Sequence, residues 1–173
     1  MMNLIGNSTV VIVGIVLVTS LGLLSAISRQ TATADPINMK LVVDTTNAKI
    51  QDLNNNKQPD AGEFVSIVGT LYATGTENEI GKYRCFFSWG GWANTTEGVS
   101  VTPAIQVFDI KGNGTIVAVG DEPSMDAEGK LVDAAIAGGT GNYKSITGIA
   151  GLTEHKMEGT KVPFDVVLDI KWP

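Results

Sequence analysis

The eighteen residues from Leu131 to Gly148, LVDAAIAGGTGNYKSITG, constrain the fold more than any other stretch. An apolar run enters a tight corner, Gly138-Gly139-Thr140-Gly141, and a second run opens on Tyr143. Glycine supplies the positive φ that such a corner needs and that side chains resist. A Gly-rich corner ahead of a helix would suggest a phosphate loop. Here Tyr143, Ser145, Thr147 and Ile149 alternate after it, which is the period of a strand. The segment predicts two antiparallel strands joined by a glycine corner.

Strand signals recur along the chain, separated by Gly, Asn, Asp and Pro clusters. After the N-terminal segment, apolar spacing at i, i+3, i+4 and i+7 is nowhere sustained. The pattern predicts an all-β domain of eight strands: Ile37–Thr45, Glu63–Ala73, Ile80–Trp89, Val99–Ile110, Thr115–Val119, Lys130–Ala137, Tyr143–Thr153 and Val162–Lys171. Eight short strands at hairpin spacing make a sandwich or a closed barrel. Closure removes free edges and leaves an interior for side chains or one small ligand.

Alternation assigns the faces. Lys82, Arg84 and Ser88 alternate with Tyr83, Cys85, Phe87 and Trp89, so the aromatics and the thiol are expected inside. Phe164, Val166, Leu168 and Ile170 face in against Asp165, Asp169 and Lys171. Ile37, Met39, Leu41 and Val43 do the same in the first strand. Val117 and Val119 are apolar opposite Ile116 and Ala118, and an apolar outer face suggests a subunit contact.

The chain has 173 residues, enough for one domain and an appendage. Residues 1–34 carry one charge, Arg29, and Thr9 to Leu24 is almost wholly apolar. Two readings stand. Ala32-Thr33-Ala34 fits a signal-peptidase site and leaves a domain of residues 35–173. Alternatively residues 9–27 form an uncleaved membrane anchor, close to the ~20 residues needed to span. Either reading puts the domain outside the cytoplasm, secreted or held at the cell surface. Residues 35–173 hold 11 Lys and Arg against 18 Asp and Glu, a net charge of −7 without cationic runs. That argues against a nucleic-acid surface. Cys85 is the single cysteine, so the fold rests on core burial without an internal disulfide. Asn94-Thr95-Thr96 and Asn113-Gly114-Thr115 are glycosylation sequons, relevant in a host that glycosylates exported proteins.

Three segments resemble the allene oxide cyclase and dirigent-like barrel superfamily. Gly62-Glu63-Phe64 through Gly69-Thr70-Leu71-Tyr72 is similar to the family's G-D/E-x-F…LY strand. Ile80-Gly81-Lys82-Tyr83-Arg84 is similar to its V-G strand. The third runs from Phe108 through Gly114-Thr115-Ile116 to Gly138-Gly139-Thr140-Gly141-Asn142-Tyr143 and Gly148. The resemblance covers about residues 60–153. It implies an eight-stranded antiparallel barrel with a central apolar cavity, commonly trimeric. Dirigent-type members steer the coupling of phenoxy radicals and carry acidic pocket residues. Asp133 stands where those proteins often have Glu, while the Val68-Gly69 neighbourhood replaces a second acidic position. The polar set of the cyclase-type members has no assignable counterpart here, and fold does not fix function.

Asp133 and Tyr83 are the candidate catalytic pair, a general acid beside a phenol. Alternation leaves Asp133 open: Val132, Ala134 and Ile136 point in if it points out, yet Leu131, Ala135 and Ala137 share its face. Tyr83, Phe87, Trp89, Trp92 and Phe164 line a ligand cavity or simply pack the core. The Gly90-Gly91 bend beside Trp89 and Trp92 suits a barrel mouth. Asp52, Asn54, Asn56, Asp60 and Glu63 fall at positions 1, 3, 5, 9 and 12 of a calcium loop. Lys57 where the turn wants Gly, Pro59, and the lack of flanking helices favour a plain connector with Glu63 opening the strand. His155 reads as a surface histidine and Cys85 as buried filler.

Two functions are expected from these readings. The first is an exported barrel that binds a small apolar or aromatic molecule, with cyclase-, isomerase- or dirigent-like chemistry by positioning. The second is a non-catalytic cell-surface or assembly module, calcium-stabilised in one version.

Overall fold

A computed structural model describes residues 35–56, 62–88, 92–94, 99–101, 103–121 and 128–173. In chain order its strands are β1 (Ile37–Asp44), β2 (Lys49–Gln51), β3 (Phe64–Ala73), β4 (Glu79–Ser88), β5 (Trp92–Asn94), β6 (Val99–Val101), β7 (Pro103–Ile110), β8 (Gly114–Asp121), β9 (Leu131–Gly139), β10 (Thr147–Glu154) and β11 (Lys161–Lys171). The signal or anchor segment lies outside the described residues, as do Trp89 and Asp60.

Eight strands close an antiparallel barrel in the order β1-β11-β10-β9-β8-β7-β4-β3, and β3 pairs back onto β1 from Met39↔Ala73 to Val43↔Gly69. β2 extends the β1 edge by pairing with the first residues of β3. Closure leaves each of these eight strands with a partner on both sides. The inward residues are those that the period of two assigned. Met39, Leu41, Tyr83, Cys85, Phe108, Ile116, Val166 and Leu168 are all buried, and they belong to one continuous core. Their charged neighbours Lys40, Lys82, Asp165 and Asp169 are more open to solvent.

Two sequence expectations need correction. The fourth predicted strand is two strands, β6 and β7, and Pro103 begins the second. Proline lacks an N–H, so it sits at a strand's start more readily than inside one. The second run of the glycine corner does not open on Tyr143. Gly141–Tyr143 is a single 3-10 turn, Ser145 has φ +61°, and β10 starts at Thr147. A four-residue alternation cannot reveal such a break. Tyr143 is needed elsewhere: its buried ring stacks on Trp172 at 6.2 Å and covers the barrel end.

The hairpin itself is present, and its corner is clamped to the neighbouring β7–β8 turn. Thr140 N–H donates to Thr115 O (2.9 Å) and Asn142 N–H to Asn113 O (2.8 Å). The hydroxyls of Thr115 and Thr140 lie 2.8 Å apart. Gly141 is required twice over. It has φ +60°, and a Cβ there would stand 2.5 Å from Asn113 O.

Candidate functional site

The strand register gives the barrel two unlike ends. The lower end carries Ile37, Glu79, Ile110 and Thr147, and Tyr143, Ile146 and Trp172 pack across it. A cleft of about 400 Å³ beside Tyr143 is lined by Met39, Ile80, Glu79 and Lys111, among others. Burial raises the Tyr143 phenol above the ordinary tyrosine range. Glu79 receives Lys111 at 3.0 Å and Lys82 at 3.1 Å, and these two hydrogen-bonded cations, Lys111 first, hold its carboxyl below the usual range. All three charges stay largely solvated, so this ion-pair group is a surface feature.

The upper end is different in kind. Among the described residues the buried polar or charged side chains are Glu63, Gln106 and Glu154, and all belong to the upper half of the barrel. Gln106 lies on β7 between inward Ala104 and Phe108, opposite Cys85 on β4 and Ala118 on β8. Its Nε2 donates to the carbonyl of Asp121 at 3.3 Å. Glu154 closes the inward series Ala150, Leu152, Glu154 on β10 and pairs across from Phe164. Glu63 accepts the Leu53 N–H at 2.7 Å, which ties the connecting loop to the rim. Tyr83 stands deeper, its ring 5.2 Å from that of Phe108.

The wall beside Gln106 has little relief. The register runs Phe87↔Ala104, Ala104↔Gly120, Gly120↔Ala134 and Ala134↔Ala150, so four adjacent strands present Ala or Gly inward. The small residues of this wall stand beside the buried ring of Phe87 on β4.

Tyr83, Phe87 and Phe164 lie inside as expected, and all three are buried. Asp133 does not join them. It is exposed on the outer face of β9, because Ala134 and Ile136 are the inward members of that strand. Asp133 and Tyr83 therefore stand on opposite sides of the wall. Trp89 and the Trp92 side chain lie outside the described residues. Gln106 and Glu154 escaped the sequence reading. Both stand in runs whose alternation marks them inward, IQVFDI and GLTE, but a polar residue there reads at first as a face change.

In the loop before β3, Asn56 N–H donates to Asp52 Oδ1 (3.2 Å) and to Asn54 Oδ1 (3.0 Å). The Asn54 bond, two residues on, is an Asx turn, and the Asp52 oxygen reaches four residues on to the same N–H. Among the described residues no three His, Cys, Asp or Glu side chains gather as a metal-binding group. His155 pairs with Asp165 at 2.8 Å on the outer surface, with both side chains exposed.

A closed antiparallel barrel with an apolar interior is the fold of the allene oxide cyclase and dirigent-like proteins, as the sequence resemblance implied. Several solved structures are similar to it. A nonspecific heme-binding cyclase that catalyses a [4 + 2] cycloaddition in neoabyssomicin biosynthesis has a TM-score of 0.60 at 15% identity, covering 100% of this chain and 84% of its own. A pterocarpan synthase dirigent protein has a TM-score of 0.57 at 16% identity, covering 82% and 99%. A pyocyanin demethylase has a TM-score of 0.55 at 16% identity, covering 77% and 98%. No protein-family model matches the sequence, and comparison with curated proteins gives no match. At these identities the likeness establishes the fold.

Proposed function

We propose that this chain is an exported barrel that takes a small, largely apolar molecule through its upper end and holds it between the aromatic and the small-residue walls. The observation that carries the reading is the buried polar set Glu63, Gln106 and Glu154 at one end of an otherwise apolar interior. A few convergent polar groups in an apolar concavity are what orient a ligand. Similar barrels include cyclases and dirigent proteins, which supports cyclase-, isomerase- or dirigent-like chemistry by positioning. Tyr83, Gln106 and Glu154 are its polar groups in this proposal, in place of the Asp133 and Tyr83 pair. The test is saturable uptake of the neutral fluorophore N-phenyl-1-naphthylamine. Stoichiometric uptake that Ala134→Leu weakens supports the proposal, and uptake that is absent or indifferent to that substitution overturns it.

A homo-oligomer belongs to the same reading. Phe86, Ile105, Val119, Ala135 and Ile149 are successive cross-strand neighbours on the outer face of β4, β7, β8, β9 and β10, and all five are exposed. An outward apolar row of this length fits burial against further copies of the chain. Export rests on the apolar residues 9–27. Calcium at Asp52, Asn54, Asn56, Asp60 and Glu63 is proposed as a stabiliser of the loop before β3. A melting temperature that chelator leaves unchanged overturns that part alone.

A further inference from the structure

We infer that the Gln106 side-chain oxygen selects the ligand: the interior prefers a neutral, apolar molecule that carries one hydroxyl or N–H donor. The inference rests on the binding role proposed above and names the chemistry of its occupant.

Gln106 is fully buried. Its Nε2 is committed to Asp121 O at 3.3 Å. A carbonyl oxygen only accepts, so the amide nitrogen must face Asp121 and the amide oxygen must face away from it. That oxygen, Oε1, has no hydrogen-bond partner among the described residues. A buried acceptor without a donor is rare and costly in a native fold. Leucine or methionine at this position would fill similar volume without the cost. A glutamine held in place by one end of its amide, with the other end unanswered, is arranged for a donor that arrives with the ligand.

The surroundings define the rest of that molecule. Cys85 and Ala118 flank Gln106 across β4 and β8, and Ala104 is its inward neighbour toward the upper end. Phe87 stands across from Ala104, and the Tyr83–Phe108 ring pair lies one step below. An apolar ring suits this setting. An anionic ligand does not: the open site on Gln106 is an acceptor, and Glu63 and Glu154 are buried in the same half of the barrel. The amide does not ionise, so the preference holds across neutral pH.

Indole and benzofuran test this directly, because they share shape and differ in one N–H against one ring oxygen. Calorimetric titration of the full chain is expected to give about tenfold tighter binding of indole. In Gln106→Leu the two affinities converge, indole weakening to the level of benzofuran, while the melting temperature holds or rises. Equal wild-type affinities for the two probes overturn the inference and leave interior binding standing. Absence of binding by both overturns the inference together with the reading it rests on. The wild-type ratio needs no variant, so a Gln106→Leu chain that fails to fold does not remove the test.

Discussion

Tyr143 and Trp172 stack with ring centroids 6.2 Å apart and planes 27° from parallel, which fastens the glycine corner to the end of the last strand. The corner and the C-terminal residues are thereby one structural unit at the lower end. Tyr143→Ala leaves a void where a buried ring stood, and a cost of about 3 kcal/mol is expected. A urea midpoint that falls with an unchanged slope checks it.

Burial raises the Tyr143 pKa, so the folded chain holds the phenolic proton more tightly than the unfolded chain. The stability from this group is complete below the ordinary tyrosine pKa and declines as pH rises through the raised folded value. Tyr143→Phe removes that alkaline decline. Denaturation series for both chains between pH 8 and about 11 are expected to converge at the low end and separate at the high end.

Glu79 shows the opposite sign. Hydrogen bonds from Lys111 and then Lys82 lower its pKa, so their contribution is present above the unfolded carboxylate pKa and fades as pH falls through the lowered value. Because the group is exposed, added salt is expected to shrink the effect. Melting curves of Glu79→Gln and the parent at pH 7 and pH 3, in low and high salt, read this out. The difference between the chains is largest at pH 7 in low salt.

The outer apolar row predicts association. Ile105→Lys places a charge within the row of five cross-strand neighbours, between Phe86 and Val119. Sedimentation is expected to show an oligomer for the parent chain and a monomer for the variant, with the far-ultraviolet spectrum unchanged. A parent chain that is monomeric at high concentration removes the assembly proposal without touching the interior site.

Asp133→Asn is expected to leave uptake of an apolar probe unchanged and stability within about 0.5 kcal/mol, because the side chain lies outside the wall. Glu154→Gln alters uptake, since Glu154 is buried in the upper half of the interior. Parallel titrations of the two variants separate the outer acid from the inner one.

Much of the barrel was legible because charged residues fixed the outer face of several strands. Lys82 and Arg84 left Tyr83 and Cys85 nowhere but inside, and Asp165 and Asp169 did the same for Val166 and Leu168. The corner residues Gly138–Gly141 announced a hairpin through their need for positive φ. Where both faces are apolar, the same logic loses its reference. Asp133 shares its face with Ala135 and Ala137 while Ala134 and Ile136 hold the other, so only the closed sheet assigns it outward. Tyr143 and Ser145 mimicked a strand because a short alternation is also met in a turn. Gln106 and Glu154 were hidden for a related reason: burial of a polar residue is decided by partners from other strands, such as the Asp121 carbonyl, and local sequence does not name them.

A small molecule that enters the barrel is read out by alanine methyl resonances on both sides of the wall. Ala104, Ala118, Ala134 and Ala150 point inward, while Ala135 and Ala137 point outward on the same sheet. Titration of the alanine-methyl-labelled chain with indole is expected to shift the four inward signals together along one saturable curve and leave the two outward ones in place. Shifts confined to Ala135 and Ala137, or none among the inward methyls at saturating indole, would mean that the interior takes up no such molecule.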